Sequence, residues 1–447
     1  MWIRLSILVA LILCPTFGCN RDTKTRDVEV PSVTDDEGKA LMLSVSPAGR
    51  ADIPAVVSGN TEFGVRLYTY LRRSDVEKNL VFSPFGVSTV TAMTLAGASG
   101  RTKSQTETAL FLSLDAPRSI QGYAALLSEL AECGRPEKPP PTGRIDPSAY
   151  YPRLRMADAV WIDRRYPIDA SFSRILNGSF GAPVKRLDLS DHPKAAAEIN
   201  AWVAAKTFGK IPHVISADAL PESCRLLLAN TVYFRGTWME KFYVEGTVPS
   251  PFHVSGTHIA DVPTMRKTDA ASSYAEAEGV QILERPYFPG RLSMVIVLPR
   301  ARNGLPEVES KITSSVLKGW IQKLKPQAEV IVFLPRFKAE TTIDLRDALQ
   351  SLGMADAFTP GRADYGEITG SKNDLYLARD LHAATISVDE DGTEATAFTG
   401  IISSDSFDDK TPPPPPEFIA DHPFLFLIRD RKTGTILFMG RVNDPRG

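Results

Sequence analysis

Residues 389–400 read Asp389-Glu390-Asp391-Gly392-Thr393-Glu394-Ala395-Thr396-Ala397-Phe398-Thr399-Gly400. They follow Thr385 to Val388, a β-forming run. If strand conformation continues, alternation puts Thr393, Ala395, Ala397 and Thr399 on one side and turns Phe398 to the other. All four are small and uncharged. A loop that stays in solvent has no need of that pattern, whereas a segment that must enter a packed sheet does, because a buried charge is costly. Gly392 adds backbone freedom where the chain leaves the strand. Farther on, Ile401 to Lys410 is mixed in character, and Pro412 to Pro416 forms a polyproline II rod of roughly 15 Å at ~3.1 Å per residue.

Outward from this stretch the chain reads as helices mainly early and strands mainly late. Ser83-Pro84 is a helix start, with serine as cap and proline in the first turn, and the helix runs to Gly97. Ala195 to Phe208 is a second helix, with Ile199, Trp202, Val203 and Phe208 spaced to share a face. Leu226–Phe234, Leu292–Leu298, Val330–Leu334, Phe424–Ile428 and Ile436–Met439 are short apolar or β-branched runs expected to be strands, several covered on both faces. This order indicates an α+β fold rather than regular βαβ units. Residues 134–153 hold six prolines and few apolar anchors, so a surface insertion is expected before a strand near Ala157 to Ile162.

The 447 residues, 43% hydrophobic and 23% charged, supply ample core. A formal net charge of −2, from 51 Lys plus Arg against 53 Asp plus Glu, gives no overall field for a polyanion, and nucleic acid is excluded as an expected partner. Residues 1–19 read as a signal peptide: Arg4 precedes an apolar run from Leu5 to Leu13, and Gly18-Cys19 resembles the end of a bacterial lipobox. Lipidation at Cys19 would tether the chain to a membrane; an ordinary secretory signal is the alternative, and either exports the chain. Residues 20–56, rich in charges and turn formers, read as a flexible tether, leaving 57–447 as one domain. Cys133 and Cys224 make no disulfide framework, and two unpaired thiols are expected.

No G-x-S-x-G elbow, H-E-x-x-H helix, phosphate loop or C-x-x-C pair occurs. His253 and His258 lie close enough in sequence to meet across a turn, but no third metal ligand is in view. No enzyme, metal or cofactor is therefore expected.

Several segments, in order, resemble the serpins, the conformationally switching family of serine protease inhibitors. Asn79-Leu80-Val81-Phe82-Ser83-Pro84 resembles the family's N-L-x-x-S-P helix start, and Glu198-Ile199-Asn200-Ala201-Trp202-Val203 its helix F signature. Leu228-Ala229-Asn230-Thr231-Val232-Tyr233-Phe234-Arg235-Gly236-Thr237-Trp238 resembles the strand leading through the breach of the central sheet. Residues 389–397 resemble the reactive-loop hinge, and Asp421-His422-Pro423-Phe424 with Leu437-Phe438-Met439-Gly440-Arg441-Val442 the C-terminal strands. Together they span about 57–444, and with the leader they read as a bacterial lipoprotein-like member.

The resemblance implies a large central mixed β-sheet, two further sheets, about eight or nine helices and an exposed reactive-centre loop at about 390–417. It implies a monomeric suicide substrate without catalysis of its own, whose cleaved loop enters the central sheet before the acyl-enzyme is hydrolysed; a non-inhibitory serpin-fold binding protein or chaperone is the alternative. The hinge would be Glu390, Gly392, Thr393, Glu394, Ala395, Thr396 and Ala397. Ser83, Asn230 and His382 would form the shutter beneath the opening sheet, and Trp238 would stand at the breach. The family's second shutter serine is Gly86 here, so altered hydrogen bonding is expected. Counting from Glu390 puts the scissile bond at Ser406-Phe407, with Asp405 a neighbouring choice of register. No Lys or Arg lies between Gly392 and Ser406, which points to elastase-, subtilisin- or chymotrypsin-like targets, with a cysteine protease as a variant.

Overall fold

Leu226–Thr237 is buried at every position but Arg235, in keeping with its largely apolar sequence. Around it the computed structural model describes residues 43–74, 76–134, 152–255, 257–370, 375–393 and 414–447. The strand lies inside a six-stranded mixed sheet, in the order Phe337–Asp344, Leu377–Val388, Gly392–Thr393, Leu226–Thr237, Arg153–Asp163, Val184–Leu187. Leu377–Val388 runs parallel to Leu226–Thr237 from Leu377 opposite Leu226 to Thr385 opposite Tyr233. Beyond that point the two strands no longer pair with each other. The two-residue strand Gly392–Thr393 stands between them, antiparallel to both, with Val388 opposite Thr393, Gly392 opposite Thr237 and Thr393 opposite Gly236.

A seven-stranded sheet that includes Leu80–Phe82, Leu292–Pro299, Phe424–Asp430 and Ile436–Val442 packs with the central sheet into the main core. A four-stranded sheet carries Glu417–Ile419 at one edge, parallel to Val330–Pro335, so the chain after the proline rod is fixed there. The described residues contain ten α-helical segments, several of only one or two turns, in line with the expected count of about eight or nine helices.

The helix starts follow their caps. Ser83 accepts a hydrogen bond from the Gly86 amide and Pro84 occupies the first turn of Pro84–Met93, which a 3₁₀ turn extends to Ala96 before Gly97. His192–Lys206 stops short of Phe208, whose φ of 52° lies in the left-handed region. Its other expected face residues hold, and Trp202 meets Trp161 edge-on at 5.1 Å. This helix covers the outer face of the central sheet, where Ile199 packs with Trp161, Leu227 and Ala229.

The expected tether boundary is corrected. Ser46 caps a 25-residue helix, Pro47–Leu71, whose buried residues include Val56, Phe63, Leu67 and Leu71. Leu43 already packs against the core, so residues 43–56 belong to the folded part. The leader, Cys19 and most of the proline-rich insertion lie outside the described residues. Cys133 and Cys224 are both buried, and burial pushes the Cys224 thiol up to about 12. His258 accepts a hydrogen bond from Arg446 at 3.0 Å, and no cluster of three metal-ligating side chains occurs among the described residues.

Candidate functional site: hinge and latch of the central sheet

The gap between Leu226–Thr237 and Leu377–Val388 is where local sequence and sheet topology converge. Gly392 enters it with φ of 150°, and a Cβ there would lie 2.0 Å from the Gly236 carbonyl oxygen. Only glycine allows that approach. Thr393 follows with no exposed surface, and its hydroxyl lies 2.8 Å from that of Tyr287. Thr393 thus faces the core, which is the parity expected for this stretch.

Further contacts pin the residues just before the gap. The indole N–H of Trp238 donates to the Asp389 carbonyl at 3.0 Å, and the Trp238 amide donates to the Asp391 carbonyl at 2.9 Å. Arg336 donates to both carboxylate oxygens of buried Glu390, at 2.8 and 2.9 Å, and the Thr247 hydroxyl bonds to the same group. Burial alone would raise the Glu390 carboxyl, but Arg336 and Thr247 outweigh it and hold the group below its usual range. Lys241 binds Asp391 at 2.8 Å.

The floor of this region is aromatic. Trp238 stacks on Tyr287 with ring centres 4.5 Å apart and planes within 8°. The Arg285 guanidinium lies 4.6 Å from the Trp238 ring centre and 4.0 Å from that of Phe242, and it pairs with Asp269 at 2.6 Å, both side chains buried. A buried ion pair of this kind keeps its charges only by mutual compensation.

Where the same two strands pair directly, below the gap, lies a second cluster. Asp158, Asn230 and His382 sit directly opposite one another on three adjacent strands. The Asn230 amide donates to Asp158 at 2.6 Å, its carbonyl takes the His382 Nδ1–H at 2.9 Å, and His382 Nε2 accepts the Ser83 amide at 3.0 Å. These bonds fix one tautomer, since Ser83 offers only an N–H to Nε2. Burial lowers the His382 pKa to about 3, so the ring is neutral at ordinary pH. The chain of bonds ties helix Pro84–Met93 to both strands that flank the gap.

Gly86 is explained by the same cluster. A Cβ at residue 86 would lie 2.4 Å from the Asn230 carboxamide oxygen, so Asn230 occupies the room a second serine would need. Asn230 turns its amide instead to Asp158, a residue half-buried overall whose enclosed carboxyl is pushed up to about 7, chiefly by burial. Nearby Asp380 is fully buried, neither carboxyl oxygen has a hydrogen-bond partner, and burial followed by Asp344 and Asp158 raises it to about 8.

Of the expected site residues, Ser83, Asn230 and His382 meet in one cluster, and Glu390, Gly392, Thr393 and Trp238 in another. Glu394, Ala395, Thr396, Ala397, Asp405, Ser406 and Phe407 lie outside the described residues. Sequence reasoning missed Arg336, Tyr287, Lys241, Asp158 and Asp380. Asp158 and Asp380 share their strands with Arg155 and Arg379, so only the orientation of the strands shows that they face the core. The others come from distant segments and carry no local signal.

Comparison with known proteins agrees with this geometry. The family model for Serpin (serine protease inhibitor) matches residues 58–445. The chain is 33% identical over 398 residues to a leukocyte elastase inhibitor of Bos taurus, covering 87% of this chain and 99% of that protein. It is 36% identical over 393 residues to Iripin-8 of Ixodes ricinus, covering 86% and 92%. The crystal structure of Serpin48, a highly specific serpin of the insect Tenebrio molitor, superposes with a TM-score of 0.74 at 29% identity, over 88% of this chain and 98% of that one. The bacterial lipoprotein-like reading is corrected by these animal relatives: it rested on the two residues Gly18-Cys19, outside the matched region.

Proposed function

The chain belongs to the serpin family, and from that membership we propose that it traps serine proteases as a suicide substrate. At the family level its function is protease inhibition without catalysis of its own. In the proposed reaction the protease serine attacks the carbonyl of Ser406 and the amine of Phe407 departs, leaving an acyl-enzyme. The freed loop then continues the strand begun at Gly392–Thr393, and the tethered protease is carried away before water completes hydrolysis.

One observation carries this reading: Gly392 and Thr393 are already in register between the two strands that must part. Insertion would give backbone partners to the unpaired edges beyond Thr385 and Tyr233, a gain held back until the loop is cut. The small residues Ala395 and Ala397 continue the core-facing parity of Thr393 without adding charge. We read Ser83, Asn230, His382 and Asp158 as the latch that must open, and Trp238 with Arg336 as the fixed end of the hinge.

The absence of Lys and Arg from 393 to 406 supports elastase-, chymotrypsin- or subtilisin-like targets, and the name of the bovine relative favours the first. The leader sequence supports export. Incubation with elastase-, chymotrypsin-, subtilisin- and trypsin-like enzymes, followed by a denaturing gel and intact mass, tests the proposal. A denaturant-resistant adduct with release of the peptide beginning at Phe407 is expected. Cleavage without an adduct across that panel would move the reading to a serpin-fold binding protein or chaperone.

A further inference from the structure

The outer face of the central sheet carries an arginine cluster next to the point where the hinge strand stops. Arg153 lies directly opposite Arg235 on adjacent antiparallel strands, and both are half-buried. Like charges in that position oppose each other. Arg155, two residues along the same face, stands opposite Tyr233, with its guanidinium 4.5 Å from the Phe208 ring centre. Burial, and then the charge of Arg153, hold the Arg155 guanidinium below its usual range. The cluster is therefore a built concentration of positive charge.

Register shows what this cluster faces during insertion. Thr393 lies opposite Gly236 and Val388, so the next residue on an extended strand falls opposite Arg235 on one side and Ser387 on the other. Directly opposed residues share a face. Thr393 points to Tyr287 in the core, hence its successor points to the outer face where Arg235 and Arg153 stand. That successor is Glu394.

We propose that Arg235, backed by Arg153, is a docking position for Glu394, so that the first charged residue of the cleaved loop is drawn into register and starts insertion. This rests on the suicide-substrate reading above. The negative side chain would lie against the opposed arginines. Ala395 and Ala397 then follow inward while Thr396 and Phe398 stay on the outer face. Arg235 is a positioning residue: it meets the loop and never the protease.

A charge-swap cycle on the full chain tests this, with a protease that the wild type traps. For Arg235→Glu, and separately for Glu394→Arg, the fraction of encounters ending in adduct rather than released cleaved inhibitor should fall, each by about two- to fivefold. The double variant should recover most of the loss, and Arg235→Gln should show a smaller loss with the fold intact. The wild-type advantage should shrink at high salt. Single changes without effect, or losses in the double variant that simply add, would overturn the docking role while leaving trapping intact. If the cleaved wild-type chain gains no heat stability and forms no adduct, both this inference and the proposed function fall together.

Discussion

Thr393 is fully buried against Tyr287, so its size and charge decide whether the hinge keeps its place. An arginine there would bring an unpaired charge into the aromatic floor. Thr393→Arg is predicted to replace adduct by cleaved inhibitor on a denaturing gel while leaving cleavage itself intact; unchanged trapping would remove the hinge assignment. Asp380 is the opposite case, a residue whose removal should help. Both its oxygens lack partners, and such a group costs about 1–3 kcal/mol. Its folded pKa of about 8 lies above the ordinary carboxyl value, so the native state holds a proton that the unfolded chain releases. The part of the cost that comes from ionisation is therefore absent below about pH 4, grows as pH rises, and levels off above about pH 8. Asp380→Val should raise the unfolding temperature more at pH 8 than at pH 4, measured by calorimetry, and an equal shift at both values would contradict the ionisation. Gly392 and Thr393 were legible in sequence because their chemistry is local. Asp380 stood in plain view between Arg379 and Leu381, but only the strand's orientation reveals that it points inward.

Elements follow the same division. The apolar strands were legible because continuous burial leaves a continuous apolar sequence, and Leu226–Thr237 extends the expected run by only three residues. Ser46-Pro47 carries the same cap signature as Ser83-Pro84, yet Arg50, Asp52 and an internal Pro54 interrupt the apolar spacing that would have announced the helix. The two-residue strand Gly392–Thr393 could not be read as inserted from sequence, since its partners lie over 150 residues away or across a tight turn. The parallel strand pair flanking the gap is closed by the Asp158–Asn230–His382 bonds. Asn230→Ala would leave the His382 Nδ1–H without its buried acceptor, a cost of about 1–3 kcal/mol. The variant should unfold at lower temperature and lose inhibitory activity faster on storage, because the gap opens without cleavage. Equal storage half-lives for variant and wild type would show that these bonds do not restrain opening.

For the whole molecule, the central sheet is open beyond Thr385 and Tyr233, and the proposed function has the cleaved loop fill that place. The four-stranded sheet fixes Glu417–Ile419 at one end of the loop and Arg336 fixes Glu390 at the other. In the proposed reaction a cut between them would free the hinge side to move while the distal side stays attached to its sheet. Completing the central sheet adds ladder hydrogen bonds and covers both open edges, so the cleaved chain should be the more stable form. Heat unfolding before and after proteolysis within residues 394–413, with the cut confirmed by intact mass, measures this directly. A clear rise in the transition temperature of the cut protein is the predicted result; an unchanged or lower transition would contradict insertion into the central sheet.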